Sequence, residues 1–299
     1  MNVLRDTAIL GLRRNNIEVL EQQVRQTRDR FNVGEVTRTD VAQVEAQLAG
    51  ARADALTAQS NLSASLAIYR QVVGAPPRNL APGRPIEKAL PKSVAVATTA
   101  SQTEHPMIQS AMHGVDAAAL NVKLVEGELL PTVGLTGTLS KRWDPNGATG
   151  AQTFSAQAVA TLTVPIYEGG ETYARVRQAK ELLAQARLQT DLVREQVRAQ
   201  VVSNWGLWEN SGGQLQAAQA QVQAAEVALS GVREEAKVGQ RTTLDVLVAQ
   251  QTLLNARVAL VTAQRDRVVT SYAVLNAMGR LSASRLGIAV AQYNPLVHF

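Results

Sequence analysis

Cysteine is absent from the 299-residue sequence. That excludes a disulfide scaffold, thiolate-bound zinc and thiol catalysis, and it suits the cell envelope as well as the cytosol. Aromatic residues make up 4% of the chain. Ala, Gln, Leu and Val recur instead, a composition of long packed helices rather than of a globular core. No run of 18 apolar residues occurs, so no membrane-spanning helix is expected. Nor is there a block of five basic residues: the net charge of +5 is spread among Glu and Asp along the chain. Such spacing describes a solvated helix face, and no nucleic-acid partner is expected. His105, His113 and His298 lack metal-ligand spacing, and no nucleotide-binding or hydrolase motif is present. No enzyme, metal or cofactor is expected.

What is present is a repeat. Val33-Gly34-Glu35-Val36-Thr37-Arg38-Thr39-Asp40-Val41 returns as Val238-Gly239-Gln240-Arg241-Thr242-Thr243-Leu244-Asp245-Val246. The offset of 205 holds without a gap from 33–74 to 238–279, with 12 identities in 42 positions. Long amphipathic patterns enter and leave both turns, so the chain reads as a duplicated helical hairpin with matching tips. Thr39 or Asp40 is the expected N-cap after the first tip. Gly74 and Gly279 stand where helix ends need positive φ.

Between the two copies the pattern changes. Residues 75–92 hold five prolines and read as a connector. Helices follow at about 93–103 and 106–128. Residues 131–165 alternate, with Phe154, Ala156, Ala158, Ala160, Leu162 and Val164 on one face and Ser155, Gln157, Thr161 and Thr163 on the other. Each of the two segments is about 10 residues, the span of a tilted membrane β-strand, although a soluble hairpin with one buried face fits as well. Trp143 and Phe154 at one end and Tyr167 at the other stand where interfacial aromatics would lie. Pro165, Gly169 and Gly170 mark the turn into a helical pattern of about 67 residues, 171–237, which Ser211-Gly212-Gly213 interrupts and would allow to bend. The resulting organisation is a first helical hairpin at 1–74, a connector at 75–104, a helix leading to the membrane at 105–130 and a β-hairpin at 131–167. A second helical hairpin at 168–279 and a tail at 280–299 complete it.

The paired tips, Leu129-Leu130-Pro131-Thr132-Val133 before a strand, and Pro165-Ile166-Tyr167 with Gly169-Gly170 after one resemble the TolC family of outer-membrane efflux proteins. The likeness covers about residues 1–281. It implies a mainly α fold: a homotrimer whose long helical hairpins form a periplasmic α-barrel and whose strands join one transmembrane β-barrel. Matched against that family, the chain opens inside a helix and lacks two strands and a signal peptide, and is expected to be N-terminally truncated. The resemblance also implies roles for the tips. Thr39, Asp40, Arg241 and Asp245 would latch the periplasmic entrance, with Arg241 facing Thr39 and Asp40. Val33, Gly34, Thr37, Val238, Gly239 and Thr242 would meet a periplasmic adaptor that links the duct to an inner-membrane transporter. Capping of the helices by Asp40 and Asp245 is an equal reading. Ala236 and Val248 replace an aromatic hydroxyl and an acidic ring of the family pattern, which puts cation selectivity in doubt.

Three functions follow. The leading one is the outer-membrane exit duct of a tripartite exporter in type I protein secretion. A multidrug or small-molecule efflux channel shares the same fold. A soluble coiled-coil interaction protein is the third.

Overall fold

The computed structural model describes residues 1–143, 150 and 152–290. His298 and the end of the expected tail lie outside them. Six α-helices and two strands are described: α1 (Asn2–Asn32), α2 (Arg38–Val73), α3 (Val94–Glu104), α4 (Pro106–Gly127), β1 (Thr132–Trp143), β2 (Gln152–Thr163), α5 (Glu171–Lys237) and α6 (Thr243–Ala277). The proline-rich connector contributes one 3₁₀ turn, Glu87–Ala89. The chain divides into two compact units, Met1–Ser101 with the segment from Arg198 onward, and Gln102–Val197.

In the first unit, α1 and α2 pack as an antiparallel pair. Leu20 and Val24 of α1 meet Val44, Leu48 and Ala51 of α2, each set spaced by three or four residues so that it shares a helix face. Leu20 and Val44 are fully buried, and each contributes about 1.5–3 kcal/mol. Leu247 of α6 enters the same cluster. The second hairpin repeats the arrangement with Ala225 and Leu229 of α5 against Leu253 and Ala256 of α6. Ala51 and Ala256, identical in the repeat, are both buried, and their small side chains let the helices approach closely. Their neighbours Arg52 and Arg257 reach across each hairpin to Glu21 and Glu226, both at 2.8 Å. The duplicated sequence thus keeps its packing and its ion pair together.

One expectation about these helices is corrected. Gly212 and Gly213 do not interrupt α5, which runs unbroken for 67 residues, about 100 Å at about 1.5 Å per residue. The reason lies on α6. Arg267 donates to the Trp208 carbonyl at 3.0 Å and to Ser211 Oγ at 3.2 Å, and its guanidinium stacks 3.4 Å from the Trp208 ring centroid. A Cβ at Gly212 would sit 3.3 Å from that guanidinium, so the glycine serves close approach. By length and composition alone α6 is the one helix among the described residues that could cross a bilayer, a test that a core helix also passes. Part of its apolar surface faces inward: Leu247 and Leu253 join the two clusters, and Val274, Leu275, Ala277 and the following Met278 are buried, while Leu244 and Val248 are exposed.

In the second unit, the C-terminal end of α4 and the first part of α5 are tied by Lys180–Glu126 and Arg175–Glu128 ion pairs, both 2.9 Å, and Gln102 at the end of α3 donates to the Arg194 carbonyl of α5 at 3.1 Å. α4 starts as its sequence suggests. His105 is the N-cap, its Nδ1 accepting the Met107 N–H at 3.2 Å, and Pro106 takes the first helical position. Burial holds the His105 pKa below its usual 6.5.

β1 and β2 form an antiparallel pair in full register, from Thr132 opposite Thr163 to Trp143 opposite Gln152. Cross-strand partners share a face, so the register sorts the hairpin into two surfaces. One carries Val133–Leu162, Leu135–Ala160, Gly137–Ala158 and Leu139–Ala156; the other carries Thr132–Thr163, Thr138–Gln157 and Ser140–Ser155. The Ser140 and Ser155 hydroxyls are 2.7 Å apart. The strands are longer than the sequence alone indicated, since Trp143 and Thr153 are paired rather than in the loop. Every strand residue is exposed, and among the described residues neither outer edge is paired.

Candidate entrance site at the paired helical tips

Each tip is built by one helix ending and another beginning. α1 ends with Gly34 at φ 84°, and α5 with Gly239 at φ 78°. These left-handed glycines close matching motifs: Gly34 and Glu35 N–H donate to the Phe31 and Arg30 carbonyls, and Gly239 and Gln240 N–H to those of Ala236 and Glu235. Three residues after each glycine the next helix is capped. Thr37 and Thr242 are the N-caps, with ψ of 161° and 163°. Asp40 N–H donates to Thr37 Oγ1 at 3.2 Å, while Thr37 N–H and Oγ1 donate to Asp40 Oδ2 at 2.8 and 2.7 Å. Thr242 and Asp245 form the same box, at 3.2, 2.9 and 2.9 Å.

The first cap is therefore Thr37, not Thr39 or Asp40. Thr39 sits exposed inside the first turn of α2, and Asp40 is the reciprocal member of the box. Both carboxylates titrate below the usual range. For Asp40 the Thr37 hydroxyl is the main cause, and for Asp245 the Thr242 N–H.

Within the chain Arg241 does not meet Thr39 or Asp40. Its Nε donates to Glu235 Oε2 at 2.8 Å. At the first tip the roles reverse, with Arg30 donating to Glu35 at 3.0 Å. Arg30 and Glu235 occupy equivalent places in the repeat, so the two tips present opposite charge at the same position. Val33 and Val238, also equivalent, are 71% and 70% exposed.

The tips share one open groove of about 960 Å³ lined from both hairpins, including Thr37, Asp40, Arg241 and Thr242. Gln22, Gln26 and Gln250 also line it. Gln250 is 7% exposed, and its buried Oε1 has no hydrogen-bond partner among the described residues. Sequence reasoning passed over Gln250. The available signal was an amide four residues beyond Val246, on the face that packs inward.

The remaining expected residues lie on the second unit. Trp143 and Phe154 are at the end of the β-hairpin far from the helices; Tyr167 follows β2 and is exposed. Pro165 precedes Gly169 and Gly170, whose φ values of 61° and 86° make the turn into α5, where Glu168 accepts a hydrogen bond from Thr172. No group of three or more metal-ligating side chains occurs among the described residues.

Known proteins resemble this chain along most of its length. The family model described as outer membrane efflux protein matches residues 99–280. The outer membrane efflux protein BepC of Brucella suis is 43% identical over all of this chain and 65% of its own length. The alkaline protease secretion protein AprF of Pseudomonas aeruginosa is 28% identical, over 85% of this chain and 56% of its own. The crystal structure of the outer membrane protein VceC of Vibrio cholerae superposes with a TM-score of 0.73 at 20% identity, over 93% of this chain and 67% of that one. The chain thus spans about two thirds of the length of such proteins or less. It belongs to the outer membrane efflux protein family, whose place is the outer membrane and whose fold is that of channel proteins, not enzymes.

Proposed function

We propose, from membership of that family, that this chain is part of a trimeric outer-membrane exit duct serving a tripartite exporter. The observation that carries the reading is the β-hairpin. Its 12-residue strands have one apolar and one polar face, both fully exposed, and open edges on each side among the described residues. Open edges are not tolerated in lipid, so the hairpin calls for further strands of a closed barrel, with the apolar face outward and the polar face toward water.

The tips supply the periplasmic entrance and its docking surface. Asp40 uses Oδ2 for its cap and keeps Oδ1 for a donor. Arg241, exposed on the facing tip, is the donor that would swing from Glu235 to Thr39 and Asp40 to latch the entrance, while Asp245 caps its own helix. Val33, Gly34 and Thr37 with Val238, Gly239 and Thr242 form the face for a periplasmic adaptor.

As cargo we take polypeptides exported by a type I route, which the name of the protease secretion relative supports. Small-molecule efflux is the second reading, favoured by the name of the 43% identical Brucella protein. Conductance in planar bilayers tests the duct: discrete ion-conducting steps are expected, larger in Arg241→Ser. A protein that gives no steps overturns the duct, and an unchanged step size overturns the latch. Deleting the gene then separates the cargoes. Loss of a polypeptide from the culture medium supports secretion, whereas an intact secreted set with new sensitivity to amphiphilic toxicants supports efflux.

A further inference from the structure

The apolar face of the β-hairpin carries a single charge. Among its described residues, from Val133 and Leu162 to Trp143 and Gln152, only Lys141 is ionisable. It lies directly across from Phe154, and its Nζ sits 4.4 Å from the centroid of the Trp143 ring. No carboxylate pairs with it among the described residues.

A lysine on the lipid-facing side of a barrel is costly at mid-membrane and nearly free at the interface. Lys141 is eight residues along β1 from Val133, about 26 Å of strand at about 3.3 Å per residue, or about 20 Å of height at a tilt of about 40°. With Val133 and Leu162 at one boundary of the hydrocarbon, Lys141 stands near the other. The helices enter the hairpin at Thr132 and Thr163, so Lys141 is at the end away from the periplasm, among the headgroups of the outer leaflet. Its Nζ lies over the Trp143 ring, and the register puts Phe154 directly across from it and Gln152 across from Trp143, all on the same face. The face thus brings a cation, an indole, a second aromatic residue and an amide together at this end.

We propose that Lys141, Trp143, Gln152 and Phe154 form a docking site for the phosphate-bearing glycolipid of the outer leaflet. The ammonium and the neighbouring donors meet the phosphate, and the rings meet the boundary between sugar and acyl chains. Arg142, one residue on, pairs with Thr153 on the opposite face and takes no part. The site rests on the hairpin crossing the outer membrane, so its test must separate the two.

The test uses full-chain protein floated with phosphatidylcholine vesicles containing either bisphosphorylated lipid A or its dephosphorylated form, followed by detergent extraction and measurement of retained glycolipid. Wild type is expected to float with both and to retain lipid A preferentially, with Lys141→Gln retaining about fivefold less. Lys141→Arg should restore retention, and Arg142→Gln should match wild type. Equal retention by Lys141→Gln, an equal loss in Arg142→Gln, or no preference for the phosphorylated lipid would overturn the site. Displacement by millimolar inorganic phosphate would make it a free-phosphate site and overturn the lipid assignment. Wild type that does not float at all would instead sink the barrel reading on which the site stands.

Discussion

Replacing Arg267 by Ala removes a joint that holds α5, α6 and the proline-rich connector at one guanidinium. Its Nη1 donates to the Trp208 carbonyl and to Ser211 Oγ, and its Nη2 to Glu87 Oε1 at 2.8 Å, while the plane stacks on Trp208. These contributions are unequal. Glu87 is 60% exposed, so its ion pair is worth about 0.5 kcal/mol. The bonds to Trp208 and Ser211 are shielded and contribute about 1 kcal/mol. The stack on a buried indole adds about 1 kcal/mol or somewhat more. The loss in Arg267→Ala is then about 2–3 kcal/mol, on the order of a hundredfold in the local opening constant. Amide hydrogen exchange over residues 84–90 and 206–216 reads it directly. Glu87→Gln should show only the small ion-pair part. Arg267→Lys should fall between, because an ammonium keeps the charge and loses the flat stack. Equal loss of protection in Arg267→Ala and Glu87→Gln would refute the argument, since the stack and the carbonyl bond would then contribute nothing.

Further outcomes follow from local geometry. At Gly213 a Cβ meets nothing within 4 Å, so Gly213→Ala should stabilise α5 by about 0.5–1 kcal/mol, seen as slower exchange of the surrounding amides. Gly212→Ala should gain far less, because its Cβ presses on the Arg267 guanidinium. Thr37→Ala and Thr242→Ala should each cost about 1 kcal/mol at the start of α2 or α6, with exchange accelerated there and not at the opposite ends. Asp40 and Asp245 both have lowered pKa values. Their caps are therefore fully present above about pH 4 and fade as pH falls further, so acid-induced fraying should shrink in Thr37→Ala, which loses the main donor to Asp40, and largely persist in Thr242→Ala, which keeps the backbone N–H that holds Asp245. His105 is a base with a lowered pKa. The unfolded chain takes up its proton first, so the α4 start should weaken as pH falls through the ordinary value of 6.5. His105→Asn, which can still cap, should remove that dependence in exchange of the 106–109 amides.

The architecture was largely legible because periodicity is a local property. Gly74 and Gly279 both adopt the left-handed φ their positions suggested, 82° and 70°, and the alternation from Phe154 to Leu162 became one face of a registered hairpin. Legibility failed where a side chain chooses between partners. Thr37 and Asp40 carry the spacing of a capping box, yet Thr39 also sits beside the turn, and only backbone geometry separates them. Arg241 illustrates a longer-range version: Glu235, six residues back, lies on the preceding helix and becomes a neighbour only once Gly239 reverses the chain. The Arg267–Trp208 stack joins residues 59 apart without a motif, so Gly212 looked like a break when it is a point of close contact.

The central claim is that the β-hairpin lines a water-filled barrel with its apolar face to lipid. Because the chain has no cysteine, single cysteines can report on this without background. Cysteines placed singly from Phe154 to Thr163, in outer membranes of cells producing the protein, would be challenged with a water-soluble maleimide. The account predicts a two-residue rhythm: Ser155, Gln157, Thr161 and Thr163 positions label, while Phe154, Ala156, Ala158, Ala160 and Leu162 positions are shielded until detergent is added. Equal labelling of both sets, before and after detergent, would contradict it.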